Sequence, residues 1–422
     1  MDFRTLPEGD VTLADVTVPG CLAKLPGDLV RTDLHIAGGR LSAAPQARRV
    51  EMAGAMVLPA FTDMHTHLDK GHIWHRAPNP DGTFMGALTT VAADRGANWS
   101  AEDVRARMTF GLRCAHAHGT RALRTHLDSI PPQDAITWPV FRELRAEWAG
   151  RVDLQGVCLV GCDAVDAEGP FRTTADIVAE ADGVLGMVAY PVPDLKARLK
   201  AFLHLAALRD LPVDFHVDET TDPDSECLRL IAETVVDTGF AAPVVVGHCC
   251  SLATQPEARA LDTLDRVAQA GLHMVSLPMC NLYLQDREAG RTPRMRGITL
   301  VHEAKARGIS VAFASDNTRD PFYAYGDLDM LEVLRQATRI GHLDHSATDW
   351  VRAVTDIPAA ACGYLNEVLI PGAVADLVIF RAREWTELFA RPQSDRIVLR
   401  AGRAIDRTLP DYADLDPLME TP

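Results

Sequence analysis

The chain has 422 residues, 47% hydrophobic and 24% charged, as expected of an ordinary globular protein with one large domain and a smaller companion. A formal net charge of −16, without an Arg/Lys-rich arm, argues against a nucleic-acid partner. No apolar segment of about 18 or more residues occurs, which argues against association with a membrane through a spanning helix.

The nine cysteines are scattered along the chain and form no CxxC pair, so we interpret them as packed thiols. The amino terminus lacks the basic-then-apolar pattern of a secretory signal. Both features favour a reducing compartment, and we therefore expect a cytoplasmic protein.

The two ends of the chain share one sequence pattern. Residues 1–56 contain short segments typical of hairpins, such as 33–40, and the same pattern returns in 371–405. We expect 1–56 and 366–422 to pair into one small β-sandwich domain. The region between them, 57–365, is then the catalytic domain.

Within that central region, short apolar runs alternate with amphipathic stretches, and continuous apolar runs are typical of strands covered on both faces. Eight strands are predicted, at 57–64, 121–127, 152–160, 183–190, 212–217, 242–248, 273–278 and 310–316. Helical periodicity predicts helices at 100–119, 193–208, 224–237, 257–270, 298–307 and 326–343. This alternation predicts an α/β fold, a (β/α)8 TIM-like barrel, with a doubly wound open sheet as the alternative.

The first predicted barrel strand ends in His65-Thr66-His67. Side chains alternate between the two faces of a strand, so histidines two residues apart point the same way. Two imidazoles that converge just past a buried strand suit a divalent metal ion. The motif is weak alone, because two histidines at this spacing also occur by chance.

Further ligand-type residues follow other predicted strands. His216 and Glu219 close the fifth strand, His248 the sixth, and Asp316 the eighth. Barrel enzymes carry their chemistry at the carboxyl ends of the strands, so these side chains are expected to converge with the histidine pair. The joint pattern predicts a metal site. His126, on the second strand, is either a structural residue or a support for that site.

Several other kinds of site are excluded by their missing motifs. His302-Glu303 lacks a second histidine at the HExxH spacing. Neither a P-loop nor a GxSxG nucleophile elbow occurs. The zinc motif of the cytidine deaminase type needs PCxxC, and Cys280 has no second cysteine at that spacing.

These motifs resemble the amidohydrolase superfamily and, within it, the cytosine deaminase-like branch, over nearly the whole chain. The residues that carry the resemblance are His65, His67, His216, Glu219, His248 and Asp316, with the branch-specific segments 281–285, 293–299 and 320–323. The resemblance implies that His65, His67, His216 and Asp316 bind the metal. Many binuclear relatives add a carboxylated lysine after strand four, which 188–191 lacks, so one ion, Zn²⁺ or Fe²⁺, is expected.

The resemblance also implies catalytic roles. Asp316 would accept a proton from the metal-activated water, and His248 would orient the hydroxide and stabilise developing charge. Glu219 would protonate the ring nitrogen beside the attacked carbon and then the departing amine. Ammonia would leave, and the ring would keep a carbonyl.

Three positions depart from the cytosine-specific relatives. Gly161 stands where those relatives have a glutamine that bonds the pyrimidine, Phe322 replaces a tryptophan, and Asn317 replaces an aspartate. We expect all three to contact the substrate, and the loss of the amide and of the indole to enlarge the site. Changed polar partners predict a changed substrate.

The expected function is therefore deamination of an amino-substituted N-heterocycle of the pterin, isoguanine, cytosine or aminotriazine type. The alternative is hydrolysis of a cyclic amide or of an N-alkylamino-triazine, and a remote one is a non-catalytic scaffold on the same fold. Small heterocycles are the expected partners, and by analogy with the fold a homo-oligomer is compatible with the sequence.

Overall fold

The computed structural model describes residue 6 and residues 9–166, 169–364 and 368–419. Two compact units divide the chain. One comprises the described residues of Met1–Asp63, Arg113–Ala122 and Asp329–Pro410, and the other those of Met64–Leu112, Leu123–Leu328 and Asp411–Pro422. The domain boundary predicted between 365 and 366 lies outside the described residues, so that division stays a prediction.

Sixteen strands lie in the described part of the chain. They are β1 (Val11–Pro19), β2 (Leu29–Ala37), β3 (Arg40–Ser42), β4 (Arg49–Glu51), β5 (Met56–Pro59), β6 (Phe61–Thr66), β7 (Thr120–Asp128), β8 (Asp153–Leu159), β9 (Leu185–Ala189), β10 (Val213–Val217), β11 (Val244–His248), β12 (His273–Ser276), β13 (Val311–Phe313), β14 (Leu377–Phe380), β15 (Ile397–Arg400) and β16 (Arg403–Ala404).

The same described residues contain fourteen α-helices. They are α1 (Gly20–Ala23), α2 (Phe84–Asn98), α3 (Ala101–His118), α4 (Asp134–Trp148), α5 (Phe171–Glu180), α6 (Leu195–Ala207), α7 (Cys227–Thr238), α8 (Glu257–Gln269), α9 (Pro278–Leu284), α10 (Val301–Ala306), α11 (Met330–Gly341), α12 (Asp356–Ala361), α13 (Trp385–Ala390) and α14 (Asp416–Met419). Among the described helices, none is both long and apolar enough to cross a membrane.

Helical periodicity in the sequence is explained by burial. In α6, the residues predicted to share one face, among them Leu199, Phe202 and Leu203, are buried. The predicted helices correspond to α3, α6, α7, α8, α10 and α11. Each turns one apolar stripe inward, which is the main source of helix stability in a folded domain.

Strands from both ends of the chain form one eight-stranded sheet. Its order is β16-β15-β14-β5-β1-β2-β3, with β4 paired to β1. The hairpin predicted at 33–40 is confirmed as the antiparallel pair β2 and β3. Its turn, Gly38-Gly39, has φ angles of 56° and 77°, which only glycine adopts without strain.

The strands β6 to β13 close into a ring. Strands β9 to β13 form a parallel sheet. Strands β6, β7 and β8 form a second sheet. Parallel bridges join the two sheets, from Val157 to Val184 and from Gly161 to Val188 on one side and from Thr66 to Asp316 on the other. The closed ring confirms the barrel and excludes the doubly wound open sheet.

One predicted strand is wrong in its bounds. The apolar run 57–64 is two strands, β5 and β6, separated at Ala60. Strand β5 pairs with β14 in the eight-stranded sheet, whereas β6 pairs with β7. Both segments are buried, so hydrophobicity alone gives no sign of the break.

Candidate metal centre and active site

The predicted site residues lie at one end of the barrel. His65 lies in β6, His216 in β10 and His248 at the end of β11, while His67, Glu219 and Asp316 follow their strands by a few residues. Neighbouring strands in this part of the ring are parallel, so their carboxyl ends meet at the same edge. The structure therefore brings these side chains together, as the sequence predicts.

Four ligand-type atoms converge at this edge. His65 Nε2 lies 3.0 Å from His216 Nε2, which lies 3.2 Å from His67 Nε2. Asp316 Oδ1 lies 3.2 Å from His67 Nε2 and 3.7 Å from His65 Nε2. Ligands about 2.1 Å from a tetrahedral ion lie about 3.4 Å from one another, so this donor set fits a divalent metal ion.

The protonation state of the imidazoles of His65, His67 and His216 also suits metal binding. Burial lowers the pKa of His65, His67 and His216 well below the ordinary value. Neighbouring imidazoles lower the pKa of His65 further, and the ammonium of Lys70 does the same for His67. Neutral imidazoles keep the ring lone pair that a metal ion needs.

The backbone at two site residues is unusual. His248 has a φ of 69° and Asp316 a φ of 63°. Residues with a Cβ rarely adopt this region, and such strain concentrates at functional sites. The peptide N–H of Asp316 donates a 2.9 Å hydrogen bond to the carbonyl of His65, which fixes one candidate ligand against another.

Glu219 and His248 lie in contact with each other beside these atoms. His248 Nδ1 lies 3.3 Å from Glu219 Oε1. The amide of Asn281, in α9, donates to both, at 3.0 Å to His248 Nδ1 and 3.3 Å to Glu219 Oε1. Because Nδ1 accepts in this arrangement, the proton of a neutral His248 lies on Nε2. Burial, and then the charge of Asp316, raises the pKa of Glu219 well above its usual range.

His126 completes the buried cluster from β7. Its ring centroid lies 4.1 Å from that of His65, and its Nε2 lies 3.3 Å from Asp214 Oδ1. Asp214 also accepts a 2.9 Å hydrogen bond from Arg124. Burial acts to raise the pKa of Asp214, but His126 and Arg124 outweigh it and lower the pKa. This ion cluster braces His126 behind the candidate ligands.

Two of the three predicted substrate residues lie together. Asn317 Nδ2 donates a 2.7 Å hydrogen bond to Asp320 Oδ2, and the peptide N–H of Phe322 donates to Asp320 Oδ1 at 2.8 Å. Asn317, Asp320 and Phe322 are all buried. Asp320 therefore holds both predicted residues in one turn after β13, and the pKa of Asp320 is raised to about 6 mainly by burial.

Gly161 lies apart from that turn, just past β8. The space beside it is filled: a Cβ at this position would lie 2.4 Å from Asp163 Oδ1 and 3.0 Å from the Tyr190 hydroxyl oxygen. The expectation that glycine here enlarges the site is therefore wrong, because two other side chains take the volume.

Comparison with known proteins identifies the family. A model of the amidohydrolase family matches residues 169–405. A pterin deaminase from Rhizobium rhizogenes is 50% identical to this chain over 419 residues, which span 97% of this chain and 96% of that protein. The chain belongs to the amidohydrolase family. The resemblance inferred from the strand-end motifs is thus confirmed.

Solved structures extend the likeness of this amidohydrolase to the fold. A 5-methylcytosine deaminase from Klebsiella pneumoniae superposes with a TM-score of 0.79 at 24% identity, covering 95% of this chain and 98% of that one. An atrazine chlorohydrolase from Arthrobacter aurescens, solved with zinc, gives a TM-score of 0.69 at 17% identity, covering 97% and 100%. Both likenesses support the barrel.

Lys70 of this amidohydrolase lies beside the site, although the sequence pattern does not predict it there. Its Nζ lies 2.7 Å from Asp128 Oδ1 and 5.8 Å from the centre of the Phe322 ring, and the residue is buried. Arg95 holds the other oxygen of Asp128 at 2.6 Å. A lysine just past a strand is usually exposed to solvent, so its sequence position does not predict burial. Its partner Asp128 is distant in the sequence, so the local pattern does not predict the ion pair either.

Cys280 is the second missed residue. Its Sγ lies 3.8 Å from Asn317 Oδ1 and 3.9 Å from the Phe322 carbonyl. One ligand-type atom each of Cys280, Glu219 and Asp316 lies within 4.8 Å of the others. Burial raises the pKa of the Cys280 thiol well above its ordinary value, so the thiol is protonated and packs as a small apolar group.

Proposed function

We propose that this amidohydrolase is a metal-dependent hydrolytic deaminase of an amino-substituted N-heterocycle, with a pterin as the leading candidate. The observation that carries the proposal is the convergence of three neutral imidazoles and a carboxylate beside the pair Glu219 and His248. The 50% identity to a protein named pterin deaminase, across nearly all of both chains, supports the choice of substrate.

One divalent ion, Zn²⁺ or Fe²⁺, is proposed for the site. His65, His67 and His216 would hold it through Nε2, and Asp316 through Oδ1. When bound, such an ion supplies Lewis acidity and makes water nucleophilic near neutral pH. The end of β9 carries Tyr190 and no lysine, which supports a mononuclear site.

The protein's own groups would then move the protons. Asp316 takes a proton from the attacking water at its carboxylate. Glu219 gives its proton to the ring nitrogen beside the attacked carbon, then takes the proton left on the added oxygen and passes it to the departing amine. The proton held by Asp316 then returns to Glu219. His248 donates from Nε2 toward the oxygen that adds to the ring. The Asn281 amide, which contacts both Glu219 and His248, would hold the two side chains in position.

The overall reaction is balanced by one water molecule. Its oxygen becomes the ring carbonyl, one of its hydrogens ends on the ring nitrogen beside that carbonyl, and the other leaves with the amino group as ammonia. His248 and Asp316 are buried and the Glu219 side chain is only 14% exposed, which limits the access of bulk water to these protons.

Two further features are proposed with the function. The domain division is 1–56 with 366–422 as a β domain and 57–365 as the barrel domain, supported by the sheet that joins β1–β5 to β14–β16. A cytoplasmic location is supported by nine cysteines that are all free, eight of them buried.

The test is an ammonia-release screen of zinc- or iron-loaded protein. Its panel is pterin, isoguanine, cytosine and an aminotriazine, with Glu219→Gln protein as the control. Ammonia from at least one of these, absent with the control, is the expected result. An alkylamine from an N-alkylated triazine, or ring opening of a cyclic amide without ammonia, would instead establish one of the alternative hydrolases.

A further inference from the structure

Gly161 is a glycine because of space and not because of its backbone. Its φ of −69° and ψ of 150° are extended angles that any residue adopts. A Cβ, however, would lie 2.4 Å from Asp163 Oδ1, closer than real contacts allow, and 3.0 Å from the Tyr190 hydroxyl oxygen, which is tight. The glycine therefore makes room for this pair of side chains.

The space in question faces the candidate metal centre. In parallel strands, residues paired across the ladder point to the same face. Val188 of β9 pairs with His216 of β10, whose imidazole lies in the metal cluster, and Gly161 pairs with Val188. The Cα–Cβ direction at Gly161 thus points to the same face as His216. Asp163 and Tyr190 fill that face at the carboxyl ends of β8 and β9.

Asp163 and Tyr190 are tied to each other and remain accessible. The Tyr190 hydroxyl donates a 2.5 Å hydrogen bond to Asp163 Oδ1. Burial and this bond raise the pKa of Tyr190, which keeps the phenol protonated as the donor. Both residues are exposed, Tyr190 by 38%, so a bound heterocycle can reach them.

The turn that carries Asp163 is braced from α6. Arg198 donates through Nη1 to the carbonyls of Cys162, Asp163 and Val165, at 3.3, 2.7 and 3.2 Å. Its Nε pairs with Asp194 at 3.0 Å. A carboxylate presented on a braced turn loses little conformational freedom on binding, as a recognition group requires.

We propose that the carboxylate of Asp163, to which Tyr190 donates, determines substrate specificity by selecting heterocycles that turn an N–H donor toward it. The inference rests on the proposed deaminase function and names the substrate class of the same site. A glutamine, which the cytosine-specific relatives are expected to have at position 161, offers one donor and one acceptor. Asp163 and Tyr190 offer a substrate only acceptor atoms, because the Tyr190 hydroxyl already donates its hydrogen bond to Asp163.

The proposal predicts a preference between two pterins that differ at a single ring nitrogen. Pterin has an unprotonated nitrogen at ring position 8, whereas 7,8-dihydropterin has N–H there. A carboxylate bonds the second and repels the lone pair of the first. The wild-type enzyme is expected to favour 7,8-dihydropterin by about tenfold or more in kcat/KM for ammonia release.

Variants of the pair test the assignment. Asp163→Asn can turn an amide N–H toward the unprotonated nitrogen, so the preference should fall to near unity. Gly161→Ala displaces the carboxylate and should have the same effect. Tyr190→Phe leaves the carboxylate in place and should keep the preference. Asp182→Asn, an exposed aspartate at the opposite end of β9, is the matched control and should keep the wild-type ratio.

The outcome that overturns the proposal is a wild-type ratio in Asp163→Asn, with thermal unfolding showing both proteins folded. A failure of the proposed function looks different, because wild-type enzyme would then release no ammonia from either pterin. If the screen finds another heterocycle, the two pterins are compared as competitive inhibitors of its deamination. The ratio of their inhibition constants then decides the same question.

Discussion

His65 Nε2 lies 3.0 Å from His216 Nε2, although the two histidines are on β6 and β10. Imidazoles that meet in this way are stabilised by a proton or by a metal ion between them. Burial lowers the pKa of both well below the ordinary value, so both rings are neutral and keep a lone pair for a metal ion. The arrangement therefore gains most from a metal ion.

Replacing His65 should remove the metal. In His65→Ala one of four donors is lost from a buried site, so the variant is expected to purify with little zinc or iron. Metal analysis by mass spectrometry measures this. His345→Ala, at a side chain that is 94% exposed, should keep wild-type metal content. Full occupancy in His65→Ala would exclude His65 as a ligand.

Replacing Glu219 should separate metal binding from turnover. Glu219→Gln keeps the shape and the amide contact near Asn281 but cannot carry a proton, so kcat is expected to fall by about 10²- to 10⁴-fold with metal retained. Steady-state kinetics and metal analysis on one preparation test this. Glu180→Gln, at an exposed position, should behave as wild type. Near-normal kcat in Glu219→Gln would rule out the proton shuttle.

Much of the barrel follows from the sequence because burial on both faces leaves a simple signature. The apolar run at 212–217 predicts β10 (Val213–Val217) almost to the residue. No helix is predicted over α4 (Asp134–Trp148), which contains Pro139, a residue that disfavours the interior of a helix. Its buried face, with Phe141 and Leu144, holds the helix together in spite of the proline.

Some residues of the site can also be predicted from the sequence, and others cannot. His65 and His67 are predictable because their spacing on one strand fixes where they point. Asp163 and Lys70 are not, since each depends on a partner far along the chain, Tyr190 and Asp128. Periodicity describes which face a residue takes, and it carries no information about which distant side chain shares that face.

Lys70 should matter for stability. Its ammonium and Asp128 form an ion pair whose side chains are 6% and 7% exposed, so Lys70→Met leaves Asp128 with Arg95 alone. We expect a loss of about 2–3 kcal/mol in the free energy of unfolding, measured with urea. Lys196→Met, which breaks a half-exposed pair with Asp237, should lose less than about 0.5 kcal/mol. Equal losses would contradict the assignment.

Asp329 should make stability depend on pH in the acid range. It accepts 2.7 and 2.6 Å hydrogen bonds from Arg396, and burial, which would raise its pKa, is outweighed by that charge, giving a pKa of about 2. A lowered pKa gives stability that is complete above about pH 4 and is lost toward about pH 2. The gap in unfolding free energy between wild type and Asp329→Asn, about 3 kcal/mol near neutrality, should shrink by about pH 3.

The control for this prediction is Asp237→Asn, at a half-exposed pair on the surface. Its difference from wild type should be small at every pH tested. A gap for Asp329→Asn that stays constant down to about pH 3 would show that the Arg396 pair is not the source.

The hydrogen bond from Asp316 to the His65 carbonyl joins the first and last strands of the ring. Contacts between such distant parts of a sequence form late in folding. A nascent chain therefore carries its histidines for most of synthesis before the carboxylate that completes the donor set arrives. Metal uptake is then expected only once the chain has been made past Asp316 and the ring has closed.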